Sequence, residues 1–125
     1  MVIFDTNAIL RYVLQDHQAM ADEVEQQLSY EVCFIPVEVI AEIIYVLSKV
    51  YGLRRNIIAQ TMIDIAGVKN ITIAQYNVVF HALRVYATTT LDFVDCLLTG
   101  YAKEDKYTVF TFDKKLQKYL QKSSE

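Results

Sequence analysis

A chain of 125 residues, 54% of them apolar, has the size of one domain, and it can bury about two thirds of its unfolded surface without cross-links. With 22% charged residues, three Gly and one Pro, it is neither disordered nor collagen-like, and it lacks the turn residues of a loop-built all-β domain. A net charge of −3 excludes binding to nucleic acid through an overall positive field, although a local basic patch stays possible.

Short β-rich runs alternate with longer stretches of helical periodicity, the pattern of a parallel sheet flanked by helices. A first strand is expected over residues 2–4, ending at Asp5, with helices over 8–14 and 18–28. A second strand covers 32–35. Pro36 then suits the first position of a helix running to about residue 51, which Gly52 stops. A helix over 55–66 closes at Gly67, and a third strand spans 71–73. Further helices cover 74–86 and 92–103, with Thr88, Thr89 and Thr90 as a polar connector between them. The run 108–112 reads as a fourth strand and 114–120 as a last helix. No linker or repeat interrupts this order, so residues 1–125 form a single α/β domain.

Cys33 and Cys96 belong to no CxxC pair and sit in apolar surroundings, as two reduced core thiols do in a cytosolic protein. The amino terminus, with Asp5 among its apolar residues, does not read as a signal peptide, and no apolar run reaches the ~18 residues of a membrane span. A cytoplasmic location with no membrane partner is therefore expected.

In an open parallel sheet, ligands bind beyond the carboxyl ends of the strands, which draws attention to Asp5 and Asp113. Each also precedes a helix and could be its N-cap. Glu42 lies in PVEVIAEIIYVL, a segment apolar on nearly every face, where a carboxylate calls for a partner or a metal. The plainer reading is a solvated stripe of Glu38, Glu42, Tyr45 and Lys49. Glu38 is explained by the helix dipole, but Glu42 lies further in. Asp92 and Asp95 stand three residues apart at the start of a helix. Asp92 could be a cap, whereas Asp95, flanked by Val94, Leu97 and Leu98, is expected to point along the sheet edge.

Taken together, Asp-Thr-Asn after an amino-terminal strand, a Glu some forty residues on, Asp-Cys-Leu-Leu-Thr-Gly-Tyr-Ala, and Thr-Phe-Asp late in the chain resemble a PIN domain. The chain is most similar to the VapC-type ribonuclease toxins of prokaryotic toxin–antitoxin modules, from Asp5 to Leu120. The resemblance implies a PIN-like α/β fold with a short central parallel sheet of four to five strands. It assigns Asp5, Glu42, Asp95 and Asp113 as the four acids, supported by Asn7 and Thr111, and Asp92 could share the role of Asp95. Cys96 and Gly100 stand where the family usually has residues such as Ala.

Four carboxylates in one pocket repel one another unless a divalent cation neutralises them, and all-oxygen ligation points to Mg²⁺ or Mn²⁺. Only His17 and His81 are present, neither with a spaced partner, so zinc is not expected. The reading is a metal-dependent endoribonuclease that hydrolyses single-stranded RNA. Asp5 and Asp95 are its principal ligands, and Glu42 and Asp113 orient water or a second ion. Arg11 is the candidate phosphate contact. The lysines of the carboxyl-terminal quarter read first as a solvated face. The apolar surplus over residues 37–50, with Tyr45 and Tyr51 at its far end, suggests a homodimer and a surface for an antitoxin. The alternatives are a PIN-like module that binds without cutting, or a receiver-like phosphoacceptor domain. The latter needs an Asp after a central strand, which ITIAQYN does not supply.

Overall fold

The computed structural model describes residues 1–124. Its elements run β1 (Val2–Ile3), α1 (Thr6–Leu14), α2 (Gln18–Leu28), β2 (Cys33–Ile35), α3 (Val37–Lys49), α4 (Arg55–Ala66), β3 (Ile71–Ile73), α5 (Tyr76–Thr88), α6 (Phe93–Glu104) and α7 (Lys114–Ser123). The three strands form one parallel sheet in the order β1-β2-β3, with Cys33 between Val2 and Ile71 and Phe34 between Ile3 and Thr72.

Period-two alternation sorts the two faces. Cys33, Ile35, Ile71 and Ile73 are buried on one, whereas on the other Ile3 and Thr72 are exposed and Phe34 is half-buried. The buried face continues into a single core with Ile40, Ile43, Ile44 and Leu47 of α3 and the inner sides of α4, α5 and α6. Most of the apolar surplus of α3 is thus used inside the domain, leaving Tyr45, Val50 and Tyr51 exposed. At the end of α3, Gly52 takes φ +64, a backbone state that costs glycine little, and the Leu53 N–H reaches back to the Leu47 carbonyl.

The expected fourth strand does not form among the described residues, and the sheet has three strands. Residues 108–112 pair with no strand: Phe110 and Phe112 are 86% and 83% exposed, and only Val109 and Thr111 are drawn inward. Side chains supply part of the missing hydrogen bonding, since Gln117 Nε2 donates to the Thr111 carbonyl at 2.6 Å and the Asp113 N–H donates to Thr111 Oγ1 at 3.0 Å. The β-rich composition of the run reports fitness for a half-buried surface, which needs a neighbouring strand to become a ladder.

Smaller differences concern helix ends. Pro36 is the N-cap of α3 and not its first residue, and Thr88 is still helical. Helix α5 begins at Tyr76, after Gln75 in the left-handed region.

Candidate active site

Each candidate acid except Glu42 stands at a helix start. Asp5 follows β1 directly and caps α1, its Oδ1 accepting the Ala8 N–H at 2.9 Å. Asp113 caps α7 in the same way, its Oδ1 accepting the Leu116 N–H at 2.8 Å, and Thr111 holds its amide. Asp92 occupies the cap position of α6 but makes no capping bond, so its carboxylate is not committed to the helix. Asp95 lies in the first turn of α6 and is half-buried.

These positions bring three of the acids together. Asp92, Asp95 and Asp113 line one small cavity of about 60 Å³ with Thr90, Leu91 and Lys115. Burial raises the Asp95 carboxyl above its usual range, and repulsion from Asp113 and then Asp92 raises it further, while Lys115 pulls it down. The Lys115 ammonium is tied to the rim by Thr90, 3.0 Å from its Oγ1 and 3.4 Å from its carbonyl. The starts of α6 and α7 also turn the positive ends of two helix dipoles toward the acids.

The other two acids do not line this cavity. Asp5 faces a groove of about 350 Å³ beside β1, α1 and α2, shared with Asn7, Arg11 and Glu23. Glu42 is exposed on α3, together with Glu38, Tyr45 and Lys49, as the solvated-stripe reading has it. Among the described residues no three His, Cys, Asp or Glu side chains converge closely enough to hold a single ion. Arg11 is held by Asp16, its Nη1 2.8 and 2.9 Å from the two carboxylate oxygens, so its charge is already answered. Val94, expected to flank Asp95 inwardly, is 58% exposed instead, whereas Leu97 is buried as expected.

A larger cleft of about 500 Å³ opens on the other side of Asp92 and Asp95, lined by Tyr45, Ser48 and Lys49 of α3 and by Arg55 of α4. The sequence reading passed over Arg55. The available signal was electrostatic: Arg54 and Arg55 at the start of α4 oppose the helix dipole, which marks them as serving something outside that helix.

The PIN domain family matches residues 2–120. The chain belongs to that family. PIN domains are generally metal-dependent nucleases, and the α/β arrangement of a small parallel sheet with helices is consistent with the PIN fold. No curated protein and no solved structure matches the chain. In this PIN domain, β2, the central strand, is followed by Pro36 and β3 by Ala74, so neither presents the acceptor Asp that a receiver domain requires.

Proposed function

We propose that this PIN domain is a Mg²⁺- or Mn²⁺-dependent endoribonuclease that hydrolyses single-stranded RNA, a toxin of the VapC type. The observation that carries this reading is the cavity shared by Asp92, Asp95 and Asp113, where like charges crowd around a half-buried Asp95. Carboxylates held together against their own repulsion suit a hard cation.

The donor set fits that ion. Mg²⁺ is usually bound by one or two carboxylates, with water and substrate phosphate completing its shell, so three converging ligands are not required. Asp95, with Asp92 or Asp113, would hold it. Asp5 and Glu42 complete the set on the family resemblance, as a further ligand and as an acid that orients water. When bound, the ion supplies charge neutralisation at the phosphodiester and an acidified water. The chain's own residues do the rest. Asp113, one oxygen of which is held by its capping bond, lines the cavity with Asp95, and Lys115 on the rim offers a cation to a phosphate oxygen. Products with 5′-phosphate and 3′-hydroxyl ends are expected.

A homodimer through the exposed Tyr45, Val50 and Tyr51, a cognate antitoxin, and a cytoplasmic site of action belong to the same proposal; no helix among the described residues is long and apolar enough to cross a membrane. Light scattering at micromolar concentration tests the dimer, and a mass of 14.4 kDa would refute it.

The second reading, a PIN-like module that binds RNA or protein without cutting, draws on the cavity of Asp92, Asp95 and Asp113, which neither Asp5 nor Glu42 lines. Incubating single-stranded RNA with the purified protein decides between them. Cleavage with Mn²⁺, abolished by EDTA and by Asp95→Asn, supports the nuclease. Binding without cleavage under all these conditions supports the module.

A further inference from the structure

One side chain, Arg55, reaches two backbone carbonyls on the segment that leads into Asp92 and Asp95. Its Nε donates to the Tyr86 carbonyl at 2.8 Å, and its Nη2 donates to the Leu91 carbonyl. Its guanidinium lies 3.7 Å from the centre of the Tyr86 ring, which in turn meets Phe93 edge to face at 5.9 Å.

These contacts join three helices at one point. Tyr86 is in the last turn of α5, where carbonyls lack helical partners, and Leu91 and Phe93 flank Asp92. The intervening loop has three other side-chain ties: Thr89 Oγ1 donates to the Val85 carbonyl and accepts the Leu91 N–H at 3.3 Å, Cys96 Sγ contacts the Leu91 carbonyl at 3.7 Å, and Lys115 Nζ donates to Thr90 Oγ1 at 3.0 Å, none of which reaches Tyr86. Asp92 and Asp95 follow within one turn, and nothing among the described residues forms an ion pair with either. A planar cation with a fixed fork of donors is suited to this task, because it binds two carbonyls and stacks on a ring at once, which an ammonium cannot do.

We propose that Arg55 is a positioning residue of the nuclease site: by clamping the carbonyls of Tyr86 and Leu91 it fixes the loop from which Asp92 and Asp95 project. This rests on the nuclease reading for its catalytic consequence, but the clamp itself can be measured without catalysis. The role is indirect, since Arg55 touches neither carboxylate and acts through the backbone that carries them.

The test compares wild type with Arg55→Lys and Arg55→Met. Hydrogen exchange is read over residues 88–96, the Tm shift with Mn²⁺ is measured, and RNA cleavage is titrated with Mn²⁺. Arg55→Met should raise exchange in that segment about tenfold, with the strands unchanged. It should also raise the half-saturating Mn²⁺ concentration by about 10- to 100-fold while KM for RNA stays within about twofold. Arg55→Lys, keeping charge but not the fork, should fall between the two and should stay folded if Arg55→Met does not. A lower Tm with unchanged Mn²⁺ dependence and exchange raised evenly across the chain would reduce Arg55 to a structural residue and overturn the proposal. So would wild-type exchange and metal response in both variants. If wild type cleaves no RNA, the nuclease reading falls, and local exchange with the Mn²⁺-induced Tm shift still decides the clamp.

Discussion

Asp95 and Asp113 face one cavity from the starts of two different helices, and repulsion by Asp113 is second only to burial in raising the Asp95 carboxyl. Asp113 cannot easily swing away, because its other role is to cap α7 through the Leu116 amide. The metal-free fold therefore retains a repulsion that the unfolded chain largely relieves.

Stability should consequently depend on pH. A carboxyl raised on folding takes up a proton as the chain folds, so metal-free protein gains stability as pH falls through the raised folded value toward the usual ~3.9, and loses it as pH rises. Asp95→Asn should flatten this slope and raise the metal-free Tm near neutral pH. It should also shrink the stabilisation by Mn²⁺, which in wild type is about 2.7 kcal/mol at a hundred times the dissociation constant. Asp64→Asn, on a solvated face of α4, should do neither. Melting curves in EDTA and in Mn²⁺ at several pH values check this, and an unaltered metal response in Asp95→Asn would shift the assignment to Asp92.

Asp5 separates capping from chemistry. Asn caps a helix about as well as Asp, whereas Ala costs about 1 kcal/mol. Asp5→Asn should keep wild-type stability and lose at least about 100-fold in cleavage, since changing even an outer partner of a metal ligand costs 10- to 100-fold. Asp5→Ala should lose both stability and activity. Asp5→Asn with full activity would make Asp5 a cap and nothing more.

Sequence periodicity carried the helices α2 and α4 and the strand β3 to their ends, because each is bounded by strong punctuation or by a clear change of period. It failed at residues 108–112, where Val109 and Thr111 alternate with Phe110 and Phe112 as in a strand but no neighbour is placed to pair with them. At the site, the order of the acids along the chain was readable, and helix starts explain why Asp5, Asp92, Asp95 and Asp113 occur where they do. Which acids share a cavity was not readable, since that depends on how α6 and α7 pack and not on their own patterns. Glu42 shows the same limit: its apolar helix called for a partner or a metal beside the carboxylate, or for a solvated stripe, and the pattern alone did not show that Glu38, Glu42 and Lys49 are all exposed. Arg55 acts through contacts 31 and 36 residues away, beyond any local pattern.

The two thiols should be inert in the native protein. Burial pushes Cys33 up to about 11 and Cys96 up to about 12, and the thiolate is the reactive species. Neither should be alkylated by iodoacetamide at pH 8 within hours, whereas both should react once the chain is unfolded in guanidinium. Mass spectrometry counts the adducts, and rapid native labelling of Cys96 would indicate that the α5–α6 region opens readily.

Gly100 sets how closely α5 and α6, the most extensively contacting helix pair, can approach. A Cβ at this position would lie 2.6 Å from the Val78 carbonyl oxygen and 3.0 Å from Val78 Cγ1. Two effects oppose each other in Gly100→Ala. Helix propensity favours Ala by about 1 kcal/mol, but the clash is with backbone of the neighbouring helix, which can yield only by separating the pair, and overpacking of this kind costs about 1–3 kcal/mol. The steric term should win, giving net destabilisation of up to about 2 kcal/mol in urea unfolding, with the m-value unchanged. Moving α6 also moves Asp95, so the stabilisation by Mn²⁺ should fall as well. A Gly100→Ala protein more stable than wild type would mean that α5 and α6 sit further apart in solution than the backbone of Val78 and Gly100 places them.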